Sequence, residues 1–433
     1  MLPVRRVPAR PIALGLLASA VTAAAVAAQV PATPPATLTI DAAVQEAIDR
    51  NLTLVAERYS VSVAQARIVT ARLRPNPVVT FNAMLPDATV FAQDISPREQ
   101  VLRTDVVIER GAKRERRVDV AEQARSVAEL QLLNTIRTIV LDVESACVDV
   151  VLAEQNLALA HESLDAFNTL VQLNTERVRT GDLAQVELAR SRLAALQFQN
   201  DVRQQQAKLA VAQNHLKMLL GRAGPGAIDI TGELRRDPQP IDLAAVRQLA
   251  LTARPDLEAL RRDQARSAAD LRLQIAQGKV DYTISGEVHH QHQATPAVGN
   301  SGLVYGAYVS VPLPIFNRNQ GEVARAREEE RQALARITAF GGQIVSEVEQ
   351  AYETYAAARD VVATIESQML APARDVRTTT EYSYRRGEAS FIEFLDASRA
   401  FNDTMQSYNA ARAEYARSLY SLEASAGGRG VNP

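Results

Sequence analysis

The chain has no tryptophan, a single cysteine, and only 19 glycines and 19 prolines among 433 residues. One thiol excludes a disulfide framework, and the place of Cys147 deep in a helical pattern marks it as a small core residue. No cysteine stands where a leader would be cut, so none there can carry a lipid. Few glycines and prolines, with 47% hydrophobic residues, point to long alanine-rich helices. Arginine is abundant but scattered, and the lack of a basic stripe interleaved with aromatics speaks against a nucleic-acid partner. There is no GxSxG, P-loop, HExxH or cysteine cluster, so neither an enzyme nor a cofactor is indicated.

Residues 1–28 carry Arg5, Arg6 and Arg10, then an apolar run from Ile12, then Ala25-Val26-Ala27-Ala28 ahead of Gln29. That order of charge, short apolar run and small residues is the pattern of a secretory signal peptide, cut near Gln29. A membrane anchor is the alternative, but the run is short and rich in alanine, and a proline-containing linker, residues 29–37, follows it. Removal of the leader takes away three arginines and no acid, which changes the formal charge from −2 to −5.

Two stretches 206 residues apart repeat one pattern: Gly181-Asp182-Leu183-Ala184-Gln185-Val186-Glu187-Leu188 and Gly387-Glu388-Ala389-Ser390-Phe391-Ile392-Glu393-Phe394. A glycine, an acid and then an apolar-Glu-apolar triplet read as a turn that opens a helix. Each stretch ends a very long helical pattern, so the chain reverses at Gly181 and Gly387. The rest of the chain repeats with them. A first repeat covers residues 38–223, with a helix over 39–72 capped by Asp41, strands near 78–85 and 101–108 and a loop at Pro86–Glu99. A helix of roughly 65 residues then runs to Thr180, about 100 Å long at 1.5 Å per residue, and a return helix ends at Leu220. In the long helix Leu133, Ile136, Val140, Val143, Cys147, Val150, Leu157, Leu164, Val171 and Val178 form a coiled-coil seam, with polar breaks at Glu154, His161, Asn168 and Thr175. A second repeat covers residues 241–426: a helix over Ile241–Ala276, strands near 282–292 and 303–316 around a loop at Ala294–Gly302, a helix over Asn319–Arg386, and a return helix over Ser390–Ala424. Bends are expected at Gly341-Gly342 and Pro372. Residues 427–433 form a tail.

Strands of roughly ten residues suit a tilted bilayer crossing. Four strands do not close a channel, and open strand edges are not tolerated in lipid, so several copies must combine. With these features in order, the chain resembles the outer membrane efflux proteins of the TolC type over its whole length after the leader. The resemblance rests on the two Gly-acid turns, Gly111-Ala112-Lys113-Arg114 with Arg117, Val311-Pro312-Leu313-Pro314-Ile315-Phe316, and Leu216 to Gly221. It implies a mainly α fold with a small β part, made of two tandem repeats. In a homotrimer, four strands per chain would form a twelve-stranded outer membrane β-barrel, continued through the periplasm by an α-barrel of long coiled-coil helices. It also implies a passive duct set in outer membrane lipid, fed by an inner membrane pump through a periplasmic adaptor protein. The charged run from Gly111 to Arg117 looks most like the branch that works with heavy-metal pumps of the resistance-nodulation-division class. A duct for drugs, peptides or proteins is the alternative on the same fold, and a secreted coiled-coil structural protein the alternative from another class.

Glu393 and Asp396 share a helix face three residues apart, and in a trimer they would form a ring of carboxylates. By resemblance they match the acidic constriction at the periplasmic mouth, although Ser390 with Glu393 also reads as a capping box. Glu187 and Tyr384 match positions that the family bonds together to hold the mouth closed. Arg190, in the first repeat at the place of Asp396, offers a pair with Asp396 instead. His289, His290 and His292 are weak candidates for metal binding: His290 and His292 point one way along a strand, Glu287 and His289 the other. A polar strand end at the membrane surface or in the external loop accounts for them better, since a zinc site needs more converging ligands. Tyr282, Tyr305, Tyr308, Phe81 and Phe316 could form interface girdles, and Arg110, Lys113, Arg114 and Arg117 could meet headgroups.

Overall fold

The computed structural model describes residues 37–84, 98–224, 226–237, 241–295 and 298–428. The expected signal peptide, nearly all of the 29–37 linker, most of the Pro86–Glu99 loop and the tail from residue 429 lie outside them. The chain enters through a two-residue strand, β1 (Thr37–Leu38), and helix α1 (Ile40–Arg50). Thr39 caps α1, its hydroxyl accepting from the Ala42 amide at 3.3 Å, so the cap lies two residues before the expected Asp41. The single helix expected over 39–72 is two, because Asn51 interrupts it. The Asn51 Oδ1 accepts from the amides of Thr53 (2.9 Å) and Leu54 (3.3 Å) and so starts α2 (Leu52–Arg72) afresh. Its Nδ2 donates to the Leu219 carbonyl at 2.7 Å, fixing the break against a distant helix end.

After β2 (Val78–Met84) and β3 (Arg98–Ile108), helix α3 runs unbroken for 68 residues, Lys113–Thr180. Helix α4 (Gln185–Leu219) returns beside it. The lower half of α3 corrects the expected seam: the buried stripe is Ser163, Phe167, Leu170 and Asn174, while His161, Asn168 and Thr175 lie exposed. A straight helix drifts by about 20° per heptad against a 3.5-residue repeat, and here the stripe centres on the large Phe167 ring one residue before the expected positions. Upstream, Val143, Cys147, Val150, Leu216, Leu220 and Ile228 share a core with Tyr420. Burial there pushes the Cys147 thiol up to about 12, which keeps it protonated and inert.

Strand β4 (Asp229–Ile230) pairs in parallel with β1. Helices α5 (Leu243–Ala253) and α6 (Pro255–Gln277) repeat the broken entry of the first half. The expected 241–276 helix splits because Pro255 opens α6, a position where its missing amide has no helical partner to lose. Strands β5 (Tyr282–Thr295) and β6 (Val298–Ser310) pair from Thr283 with Ser310 up to Thr295 with Val298, so ladder replaces most of the expected 294–302 loop. Strand β6 stops at Ser310 rather than 316, because Pro312 and Pro314 have no amide to give. Helix α7 (Gln320–Thr364) passes through Gly341-Gly342 without interruption. The interruption comes as a π turn, Ile365–Met369, in which the Leu370 amide reaches back to the Ile365 carbonyl. Pro372 lies within the first turn of α8 (Leu370–Arg386), and the widened turn accommodates its ring. Helix α9 (Phe391–Ala426) completes the chain.

The four long strands form one antiparallel sheet, ordered β2-β3-β5-β6. The helices follow the same order: α2 packs on α3, α3 on α6 and α6 on α7. Leu102, Val106, Ile108, Ile284, Leu303, Tyr305, Val309, Val79 and Phe81 lie on one face of the sheet and are exposed. Among the described residues no helix is long and apolar enough to cross a membrane.

Asn51 makes both a cap and a long-range bond, so Asn51→Ala should cost about 2 kcal/mol. Asn51→Ser, which keeps the cap but cannot reach Leu219, should recover about half. Thermal unfolding of detergent-solubilised protein checks both.

Candidate functional site

The two reversals have the same backbone. Gly181 (φ 88°) and Gly387 (φ 82°) each take the left-handed conformation that ends a helix, which side chains with a Cβ resist. Gly181 and Asp182 donate to the carbonyls of Val178 and Arg177 at 3.2 and 2.8 Å. Gly387 and Glu388 donate in the same way to Tyr384 and Ser383, at 3.0 and 2.8 Å.

The returns differ. Helix α4 starts at Ala184, which has no side chain to cap it, whereas α9 starts at Ser390 in a complete capping box. The Ser390 amide donates to Glu393 Oε2 at 2.7 Å, and the Glu393 amide donates to Ser390 Oγ at 3.3 Å. Donation to the Glu393 carboxylate, from the Ser390 amide foremost and then from the Ser390 hydroxyl, holds that carboxyl below its ordinary range. Glu393 and Asp396 are both exposed on α9, with Phe391 and Phe394 buried on the opposite side.

Above the turns, an aromatic core joins the two hairpins. Phe167 stacks on Phe198 (4.3 Å between centroids) and meets Phe394 (5.5 Å), which stacks on Tyr384 (5.8 Å). Phe394 closes the second Gly-acid stretch, but the sequence did not single out Phe167 or Phe198. Their 3-4 spacing with Ser163 and Leu170 on α3 and with Ala194 on α4 was the available signal.

The expected Tyr384–Glu187 bond is not made within the chain. Tyr384 is 3% exposed and its hydroxyl donates to Asn174 Oδ1 at 3.0 Å, because the aromatic core carries the ring toward α3. Glu187 is instead paired with Arg190 at 2.7 Å, which also removes Arg190 from the expected pair with Asp396. Arg177, on the last turns of α3, donates to the Arg385 carbonyl (3.2 Å) and the Tyr384 carbonyl (3.5 Å). A guanidinium at a helix C-terminus satisfies spare carbonyls and meets the negative end of the helix dipole. Asn174 and Arg177 are thus two contacts between hairpins that sequence reasoning missed.

The other candidate set lies on the sheet. His289 has Glu99 Oε1 at 2.7 Å from Nδ1 and Glu287 Oε1 at 2.6 Å from Nε2. His290 faces the other side of the strand, and the side chain of His292 lies outside those described. No group of three or more ligating side chains able to hold a metal occurs among the described residues. Tyr308 does not join the exposed apolar face with Tyr305: it stands opposite Ser285 on the polar face, beside Glu287 and 5.9 Å from the Arg103 guanidinium. The cations at the base of the sheet are largely engaged. Lys113 pairs with Asp281 at 2.7 Å, Arg117 forks onto Glu109 at 3.0 Å, and Arg110 lies over the Tyr282 ring at 4.6 Å.

Comparison with known proteins adds the following. The sequence model of the family described as outer membrane efflux protein matches residues 43–222 and again 246–428. The cobalt-zinc-cadmium resistance protein CzcC of Cupriavidus metallidurans is 24% identical over 362 residues, 84% of this chain and 83% of that protein. The cation efflux system protein CusC of Escherichia coli K12 is 25% identical over 280 residues, 62% of this chain and 60% of that protein. A crystal structure of CusC superimposes with a TM-score of 0.73 at 17% identity, covering 90% of this chain and 92% of that one.

The sign of the Glu393 shift sets a pH dependence. The capping box should be fully formed above the ordinary glutamate pKa of about 4.3 and should be lost as pH falls through the lower folded-state value. Amide hydrogen exchange at Phe391–Phe394 should quicken on acidification, relative to Gln185–Leu188, which have no such cap.

Proposed function

Because the chain belongs to the outer membrane efflux protein family, we propose that three copies assemble into the outer membrane duct of a tripartite efflux system. The protein is an outer membrane efflux channel with a periplasmic extension, not an enzyme. The observation that carries the trimer is the open sheet. One face is apolar and the other polar, and the outer edges of β2 and β6 have no partner among the described residues. In lipid those edges must pair, and pairing β6 of one copy with β2 of the next closes a twelve-stranded barrel with the apolar face outward. The edge helices α2 and α7, in the same order as the strands, would close beneath it into an α-barrel.

The tips at Gly181 and Gly387 form the periplasmic mouth, where a periplasmic adaptor protein and an inner membrane pump of the resistance-nodulation-division class deliver substrate. Three copies of Glu393 and Asp396, exposed just past the second turn, line that mouth with carboxylates. Tyr384 on Asn174 and Arg177 on the end of α8 hold the second hairpin against the first in the closed state. Glu187 and Arg190 pair on the neighbouring helix, so they steady α4 rather than lock it to Tyr384. Heavy-metal cations are the substrate favoured here. Support comes from the resemblance to CzcC and CusC, whose names state metal resistance and cation efflux, and from the acidic mouth.

Heat-modifiable trimers in outer membrane fractions test the assembly. Deletion of the gene, followed by growth on graded zinc, cobalt and cadmium beside a drug panel, tests the substrate; sensitivity to the drugs alone would set the metal assignment aside. Leaving Asn174 without its partner costs about 1–3 kcal/mol. Tyr384→Phe with Arg177→Ala should therefore shift the mouth roughly tenfold or more toward open. Single-channel conductance in planar bilayers measures this, and unchanged conductance would remove the latch. Glu393→Ala with Asp396→Ala should weaken block by multivalent cations, and equal block would remove the ring.

A further inference from the structure

Each of the four long strands joins its helix through a short junction, residues 73–77, 109–112, 278–281 and 311–319. The acids in and beside these junctions are spent: Glu109 pairs with Arg117, Glu115 with Arg114 and Asp281 with Lys113. One exposed cation per junction is left over, Arg74, Arg110, Lys279 and Arg318. Among the described residues none of these pairs with a carboxylate; Arg318 Nε is turned to the Pro314 carbonyl at 3.2 Å. Neighbouring junctions touch. A Cβ on Gly111 would fall 2.7 Å from Lys279 Cδ, and one on Gly278 would fall 2.8 Å from the Arg318 carbonyl oxygen. Arg110, Lys279 and Arg318 therefore follow one another in a row. Arg74 extends it along a cleft of about 260 Å³ that it lines with Ile108, Ala112 and Arg114.

The row lies where the apolar face of the sheet ends. Tyr282 stands opposite Ile108 in register, and Arg110, two residues past Ile108, lies over the Tyr282 ring at 4.6 Å and donates to its hydroxyl. Arg74 follows exposed Leu73, and Arg318 comes two residues after Phe316, which is 90% exposed. A cation beside an exposed apolar side chain suits a membrane surface, where the stem and its neighbour meet hydrocarbon and the charge meets phosphate. A collar meant only for water would account for the charges but not for Leu73, Ile108 and Phe316 beside them.

We propose that this row is a binding site for anionic phospholipid in the membrane leaflet facing the periplasm, with the phosphate held by Arg110 and Lys279 between Arg74 and Arg318. It rests on the proposed barrel, which turns the apolar face to lipid. A guanidinium forks onto two phosphate oxygens and an ammonium meets a third. A zwitterionic headgroup would bring its own cation against the row, so a lipid of net negative charge is the one that fits. Three copies give a collar of such sites beneath the barrel, on a chain that is otherwise acidic once its leader is gone.

Native mass spectrometry of the full-length protein in mild detergent reads subunit number and bound lipid together, with phosphatidylglycerol and phosphatidylcholine added at equal concentration. Wild-type trimers should retain phosphatidylglycerol over phosphatidylcholine, and high salt should remove the preference. Arg74→Gln/Arg110→Gln/Lys279→Gln/Arg318→Gln should weaken phosphatidylglycerol binding at least about tenfold. Arg192→Gln/Arg203→Gln/Lys208→Gln/Arg374→Gln, which removes as many exposed cations from the lower helices, should leave it unchanged. If the first of these variants does not assemble, Arg110→Gln alone should weaken binding about fivefold. Equal retention of both lipids by wild-type trimers, or wild-type affinity in the variants of the row, would overturn the proposal. Equal loss in the two fourfold variants would do the same, as would displacement of the lipid by an equal concentration of inorganic phosphate, the mark of a soluble-anion site. If the wild-type chain gives no trimer, the barrel itself falls, and the lipid site with it.

Discussion

A backbone amide or carbonyl in hydrocarbon has no water to turn to, and among the described residues both edges of a sheet with an apolar face, β2 and β6, are unpaired. That requirement governs the rest. It demands neighbours along β2 and β6, and the helices must accept the same neighbours because they follow the strand order. The proline-bearing residues after Ser310 and before Val78 limit the ladder on both edges, so the sheet stops where the helices begin.

At the other end the constraint is of a different kind. No lipid acts on the tips, and the hairpins are held by aromatic packing above two glycine turns. The repeats use the same turn, yet only the second has a side-chain-capped return, and the end of its outgoing helix is bonded to α3 through Asn174 and Arg177. The cap keeps the start of α9 intact, while Asn174 and Arg177 hold the end of α8. Movement of the second hairpin therefore does not require melting of either helix end.

Much of this was legible in the sequence. Glycine spacing gave the reversals, the absence of proline gave the 68-residue helix, and alternation gave four strands. The capping box of Ser390 and Glu393 followed from local chemistry alone. What failed was what depends on distant partners. Asn51 is an unremarkable polar residue until Leu219 arrives, and the lower seam of α3 moved by one residue because Phe198 and Phe394 draw Phe167 inward. Tyr384 stands three residues before the second turn, as its sequence position requires, but its hydroxyl's partner is decided by a buried asparagine 210 residues earlier. The pairing of His289 with Glu99 needed the register between strands from different repeats, which no local pattern encodes.

The π turn has a consequence for angular phase. Along α7 the buried stripe runs Ile344, Val348, Tyr355, Val362 and Ile365 at intervals of three, four and seven. Continued at that spacing it would reach Met369 and Val376, which are both exposed. Instead it resumes at half-buried Leu370, five residues after Ile365, and leads to Tyr384. One extra residue in a helix rotates everything downstream by about 100°. The π turn thus acts as a phase shifter that aims Tyr384 at Asn174. Trimming one residue from Ile365–Met369 would keep the hairpin's length almost unchanged while rotating its lower end away from its latch.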